Sequence, residues 1–351
     1  MPTTNHSHHV LDTDIPIFRP VPGVFDERQL SEIFYSLEGK GEIPGKYNYF
    51  GIGAENWIER SLNSNHKTDS YKLGSQYKLM NETLDLVLGA VADKNTVNIV
   101  DIGCGNGYPS FPIISFLNDK KKLGKYIAID AVPQMIDSAV KNLGEIDILK
   151  NIKIDKYLHD FEDGHFADIM IKERKKGVVN LFTFFGSTLG NMIDRHRALA
   201  NIRDSMTEGD LLWVGVLLNS FLDSAVKYDS VLVANSPQYL EKTKMWTSSL
   251  ISFGIINWTE YGVVKLEQIG NEGLAKLCYN ISKPFILEFP KFKDVKNILQ
   301  LKFEVGDKIT LFRFNYYKEN LLVSEIKEAG FKLKMMNISD DYSSGLVLVS
   351  V

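Results

Sequence analysis

Between Val97 and Leu218 the chain alternates short apolar runs with stretches of helical periodicity, and few folds accept that pattern. The runs are Val97–Ile102, Tyr126–Ile129, a weaker Ile152–Tyr157, Val178–Phe184 and Leu211–Leu218. Each has the length of one strand. Helical patterns fill the gaps: one carries Ile113, Ile114, Phe116 and Leu117, a second runs from Pro133 to about Asn142, and a third from about Asn191 to Met206. Strands apolar on both faces belong in a parallel sheet with helices on both sides, because parallel neighbours need long crossovers. The pattern predicts an α/β, Rossmann-like, doubly wound sheet.

The alternation breaks after Leu218. Residues 219–317 have a mixed pattern and read as an insertion. A helix resumes from Lys318 to Ala329, Gly330 stops it, and two strands follow near Phe331–Asn337 and Gly345–Val351. The expected organisation is therefore a core of residues 75–218 plus 318–351, opened by a helix from about Ser75 to Val91. A second lobe, of residues 1–74 plus 219–317, would lie over the sheet's C-terminal edge, where open α/β sheets bind ligands. In that lobe Phe25–Leu37 has helical spacing, and the glycine- and aromatic-rich Lys46–Trp57 reads as loop.

Composition narrows the function. Forty basic residues against 44 acidic ones, a formal charge of −4, provide no electrostatic surface for nucleic acid or membrane. The two cysteines, Cys104 and Cys278, give neither a disulfide framework nor zinc-ligand spacing, so no metal site is expected and a reducing cytoplasm is the expected setting. No apolar run approaches the roughly 20 residues of a membrane helix. His6, His8 and His9 read as part of a solvated tail, and His159 as a loop histidine.

The strongest local signal is Val100-Asp101-Ile102-Gly103-Cys104-Gly105-Asn106-Gly107. A strand ends, the backbone turns through glycines, and a helix begins. A side chain there would keep a ligand away from the backbone N–H groups. Asp130 closes the second strand, and a carboxylate accepts two hydrogen bonds, which suits a vicinal diol. Asp160-Phe161, past the third strand, adds an acceptor and an aromatic face.

Asp101-Ile102-Gly103-Cys104-Gly105 resembles the first motif of class I methyltransferases, with G-x-G-x-G spacing. The resemblance implies S-adenosylmethionine as cofactor, held by Asp101, Gly103, Gly105, Asp130, Asp160 and Phe161. The fourth strand ends in Phe184-Phe185-Gly186-Ser187-Thr188-Leu189-Gly190-Asn191, which resembles the histidine-specific methyltransferase family. Lys46-Tyr47-Asn48-Tyr49-Phe50-Gly51-Ile52-Gly53-Ala54, Val226-Lys227-Tyr228-Asp229 and Phe303-Glu304-Val305-Gly306-Asp307-Lys308-Ile309 match further family segments, as does Glu328-Ala329-Gly330-Phe331. The resemblance runs from about residue 46 to the C-terminus. It implies that Asn191 and Tyr228 hold the substrate's amino and carboxylate groups. Tyr49 would line the meeting point of cofactor and substrate.

The ring-binding part departs from the family. Where the family has Arg-Thr-Glu-x-Ser, this chain has Thr310-Leu311-Phe312-Arg313-Phe314, so Phe312 and Phe314 stand in place of the glutamate and serine. The family's paired tyrosines are partly kept, as Ser70-Tyr71, and its lysine after the first glycines is replaced near Pro109. Phenylalanines offer stacking but no acceptor for an imidazole N–H. The expected activity is N-methylation of an amino acid or amino-acid-derived small molecule other than histidine. Methyl transfer to oxygen or a peptide end, or a silent cofactor-binding relative, stays open, as does the oligomeric state.

Overall fold

The computed structural model describes residues 15–63, 73–91, 96–146, 150–219, 236–270, 273–292 and 298–351. The chain forms two compact units, Ile58–Asp223 with Asn315–Val351, and Met1–Trp57 with Ser224–Phe314.

The first unit is built on a seven-stranded sheet. Its strands are β1 (Thr96–Ile102), β2 (Leu123–Asp130), β3 (Ile154–Leu158), β4 (Val178–Phe184), β5 (Leu211–Leu217), β6 (Lys332–Ile338) and β7 (Ser344–Ser350). They lie in the order β3-β2-β1-β4-β5-β7-β6. The first five are parallel. Only β7 runs against its neighbours. This is the Rossmann-like topology of class I methyltransferases, with the order reversing between β1 and β4.

Helices cover both faces because the central strands are apolar on both. Val97 and Ile99 of β1 pack with Leu79 and Leu84 of α1 (Leu73–Ala90), Ile113 of α2 (Phe111–Asp119) and Ala139 of α3 (Pro133–Gly144). Val100 and Ile102 face the other way, onto Ile169 of α4 (Ala167–Glu173), Leu199 of α5 (Arg195–Ser205) and Leu322 of α6 (Glu319–Glu328). Each such aliphatic side chain contributes about 1.5–3 kcal/mol by leaving water. α5 begins four residues later than its periodicity suggests. Asp194 caps it, accepting from the Arg197 N–H at 3.0 Å, and Thr188–Asn191 form a separate 3₁₀ turn.

The second unit contains helix Glu27–Lys40, which starts at a capping box between Asp26 and Gln29 and stops at Gly41, with φ of 62°. Lys46–Trp57 is helical where the sequence suggested loop: a 3₁₀ turn spans Gly45–Tyr49 and a helix starts at Ile52. The insertion is also regular. It holds helices Pro237–Thr243 and Ser248–Ser252. One three-stranded sheet is ordered Ile17–Phe18, Phe285–Phe289, Leu299–Phe303; another is ordered Lys308–Asn315, Leu274–Ile281, Gly262–Ile269. These strands escape a periodicity reading because burial does not alternate cleanly along them. Among the described residues no helix is long and apolar enough to cross a membrane.

Candidate functional site

In the sheet unit the candidate residues gather at the C-terminal ends of β1, β2 and β4. Gly103, Gly105 and Gly107 take φ of 62°, 53° and 79°, a region that strains any other residue. A Cβ on Gly107 would come within 3.2–3.3 Å of Leu143 and Ala139, so the turn packs directly on α3. The turn does not present open donors, as the sequence suggested. The N–H groups of Gly103 and Cys104 donate to the Ile129 carbonyl, and that of Gly105 to Asp130 Oδ2 at 3.1 Å. The glycines therefore supply backbone shape and close packing. Where a Cβ of Gly103 would stand, Thr188 and Phe161 approach to 3.4–3.5 Å.

Asp130 is buried, and its Oδ1 accepts from the Val132 N–H at 3.0 Å. The Ala131 N–H also lies toward the carboxylate, which with four acceptor sites keeps capacity for a further donor. Burial pushes its carboxyl up to about 6. Asp101 is placed differently. Its carboxylate lies inside the sheet, accepting from the Tyr126 hydroxyl at 2.6 Å and the Thr183 hydroxyl at 2.9 Å. Burial raises it too, to about 6, against those bonds. Asp101 thus acts on the turn from beneath. Asp160 Oδ1 accepts from the Glu162 N–H at 3.0 Å, folding the loop that carries Phe161. Phe161 is buried edge-on against Phe184.

Taken together, a turn shaped by glycines at positive φ, a buried carboxylate and the Phe161 edge fit an adenosyl ribose and base. His159 is occupied by a contact to the Gly164 carbonyl at 2.9 Å.

The string after β4 explains itself residue by residue. Gly186 and Ser187 both take positive φ, 71° and 63°, which reverses the chain. The Thr188 hydroxyl donates to the Phe185 carbonyl at 2.8 Å. A Cβ on Gly190 would lie 2.6 Å from the Asn315 carbonyl oxygen, and Asn315 Nδ2 donates to the Gly190 carbonyl at 2.7 Å. That close approach fixes the half-buried Asn191 one residue on. Gln76 of α1 braces the same turn, accepting from the Gly186 N–H at 3.2 Å. A separate groove of about 770 Å³ lies beyond β5, lined by Leu218, Asn219, Tyr317 and Met336 among others, and none of the candidate residues lines it.

In the other unit, Phe312 and Phe314 lie on one face of strand Lys308–Asn315, two residues apart. Tyr49 stands edge-on to Phe312, with centroids 6.2 Å apart, and to Trp57 at 6.4 Å. Trp246 packs at 4.3 Å from Phe312 and at 5.4 Å from Phe314. The structure thus joins Tyr49 to Phe312 across 263 positions and adds Trp57 and Trp246, which no sequence signal marked. On the opposite face Arg313 grips the buried Glu42 through two bonds, of 2.7 and 2.5 Å. Asn48 donates to the Leu311 carbonyl at 2.7 Å, tying the Tyr49 turn to the same strand. Tyr228 lies outside the described residues. Among the described residues no cluster of metal-ligating side chains occurs.

A family model described as histidine-specific methyltransferase, SAM-dependent, matches residues 34–226, more than half of the chain. No protein of curated function matches. Among solved structures, an S-adenosylmethionine-dependent methyltransferase from Clostridium acetobutylicum is similar, with 11% identity, 85% of this chain and 99% of that one covered, and a TM-score of 0.47. A Pyrococcus horikoshii protein gives 12%, 83%, 98% and 0.45. Magnesium protoporphyrin IX methyltransferase from Synechocystis, solved with bound S-adenosylhomocysteine, gives 10%, 87%, 96% and 0.42.

Proposed function

Since the chain belongs to the histidine-specific, S-adenosylmethionine-dependent methyltransferase family, we propose that it methylates the amine of an amino acid or amino-acid-derived small molecule, and that histidine is a poor substrate. In this reading the seven-stranded unit is the cofactor core and the other unit the substrate-binding lobe. The bound cofactor supplies an electrophilic methyl on a sulfonium, so the protein's share is placement and exclusion of water. Gly103, Gly105 and Phe161 shape the adenosyl seat. Asp130 accepts from the ribose hydroxyls, and Asp160 from the base. Asp101 holds the turn in position through its bonds within the sheet.

Asn191 and Tyr228 would orient the amino-acid head, and Tyr49 would line the transfer site. No general base is required, because a free α-amine with a pKa of about 8 is partly neutral at physiological pH. Bound S-adenosylmethionine would supply the methyl group and leave as S-adenosylhomocysteine, and the acceptor's proton would pass to solvent.

The observation that carries the reading is the Gly186–Asn191 turn. Its positive-φ pair and its glycine against Asn315 fix the backbone that carries Asn191, and Thr188 of the same turn approaches Gly103, which supports the assignment. The positions that bind the ring in the family hold Phe312 and Phe314, which offer no acceptor for an imidazole N–H and, being buried, back the pocket with an apolar floor. The test is a screen of amino acids and amines with methyl-labelled S-adenosylmethionine. A base-stable methylated amine as product supports the reading; a base-labile ester, or methylation of histidine above all other acceptors, overturns it.

A further inference from the structure

Phe312 is only 1% exposed and Phe314 only 8%, so neither presents much surface to a ligand. Their common face is covered by the indole of Trp246, which remains partly exposed. We infer that Trp246 is the specificity-determining residue of the proposed pocket: the body of the substrate stacks on its indole, with Phe312 and Phe314 as the floor that holds the indole in place. This rests on the proposed amine-methyltransferase reading and gives it a substrate class, amino acids or their derivatives with a planar aromatic body.

The residue is unusually well fixed for one in a turn. Residues 244–247 link helices Pro237–Thr243 and Ser248–Ser252. The Thr247 N–H and hydroxyl both donate to the Thr243 carbonyl, at 3.0 and 3.1 Å. On the far side Asn56 donates to the Ser248 hydroxyl at 2.9 Å, buried. Gly53 lets helix Ile52–Asn63 start tight against its own preceding turn, where a Cβ would stand 1.9 Å from the Asn48 carbonyl oxygen, and close to Ser248, whose Cβ it would meet at 3.3 Å. An indole held from three directions loses little freedom when a ligand stacks on it, which is what a selective apolar contact needs. Tyr49, partly exposed, stands edge-on to the floor at Phe312, with the partly exposed Trp57 edge-on behind it, and the two would bound a flat body.

The experiment uses the full chain with labelled S-adenosylmethionine and six acceptors: L-tryptophan, L-phenylalanine, L-leucine, L-alanine, L-histidine and L-lysine. Affinity for S-adenosylhomocysteine, measured by calorimetry, reports that each protein is folded. The wild type should prefer the aromatic acceptors. Trp246→Ala should lower the ratio of phenylalanine to alanine turnover at least tenfold, through KM for phenylalanine, and leave S-adenosylhomocysteine affinity unchanged. Trp246→Phe should restore most of the preference, while Trp246→Leu, which keeps bulk without a face, should not. An unchanged ratio in Trp246→Ala or Trp246→Leu, or a wild-type preference for lysine or histidine, overturns the inference alone. If no acceptor is methylated while S-adenosylhomocysteine still binds, the amine reading falls and the inference falls with it.

Discussion

The glycine turn after β1 and the aromatic cluster on strand Lys308–Asn315 are assembled by opposite means. The turn is backbone. Its N–H groups are consumed by the Ile129 carbonyl and Asp130, and its conformation is set by glycines at positive φ. The cluster is side chain throughout, with Tyr49, Trp57, Trp246, Phe312 and Phe314 arriving from three stretches of sequence. A site of the first kind tolerates few substitutions and binds a fixed partner. A site of the second kind can change at its partly exposed rings, Tyr49, Trp57 and Trp246, while its buried floor of Phe312 and Phe314 is kept.

The largest effect that would sharpen this contrast is expected at Phe312. Phe312→Ala should cost about 3–5 kcal/mol of stability in chemical denaturation, because a fully buried ring leaves a cavity under Trp246. Calorimetry on the folded protein should nevertheless give unchanged S-adenosylhomocysteine affinity, since the residues assigned to the cofactor all belong to the other unit. A parallel loss of affinity would break the comparison. Phe312→Glu should be at least as destabilising, because the carboxylate would be buried without a partner.

Asp130→Ala should weaken S-adenosylhomocysteine by about 1–3 kcal/mol, as the diol and the Gly105 N–H both lose an acceptor. Equal binding by wild type and variant would move the ribose site elsewhere. Asn191→Ala should slow turnover on every acceptor by roughly 10- to 100-fold, from the loss of one hydrogen bond to a charged head group. Its S-adenosylhomocysteine titration should stay as in wild type. A loss confined to one acceptor would place Asn191 against the body of the substrate instead.

The smallest effect is a pH dependence with two opposite signs. Burial raises the carboxyls of Asp101 and Asp130 from 3.8 to about 6 in the folded chain. A raised folded value means stability that is present below the unfolded pKa and lost as pH rises through the folded one. From pH 7 to pH 5 each carboxyl should therefore add about 1 kcal/mol to the stability of the ligand-free protein. Over the same interval S-adenosylhomocysteine affinity should fall up to about tenfold, because a protonated Asp130 is a weaker acceptor. Thermal unfolding and calorimetry at the two pH values measure both. Affinity that rises on acidification would remove Asp130 from the ribose contact.

What could be read from the sequence follows the same division. β1, β4 and β5 are short and apolar on both faces, so composition alone marks them, and Val178–Phe184 is recovered to the residue. Gly103, Asp130 and Asn191 were legible because backbone turns need particular residues at particular places. Trp246 was not legible. Its neighbours Phe312 and Phe314 lie more than sixty positions away, and a tryptophan in a polar turn looks like any other surface aromatic. The turn's satisfied N–H groups and the inward-facing Asp101 were hidden for a related reason, since a motif names residues and leaves hydrogen-bond direction open. The insertion's strands were missed because their burial alternates only in part, as in Gly262–Ile269, where it fades after the third residue.

The position of β7 has a consequence for how the chain is made. Ser344–Ser350 is buried along its whole length between β5 and β6, paired with Leu211–Leu217 across some 130 residues of sequence. During synthesis β5 emerges long before its partner. Until then it is an open edge of seven apolar or glycine residues, the kind of surface that captures other nascent chains. Closure also waits for residues 224–314 to emerge, which prolongs that exposure. Chaperone occupancy during synthesis should therefore raise soluble yield, and slowed translation, which lengthens the exposure, should lower it.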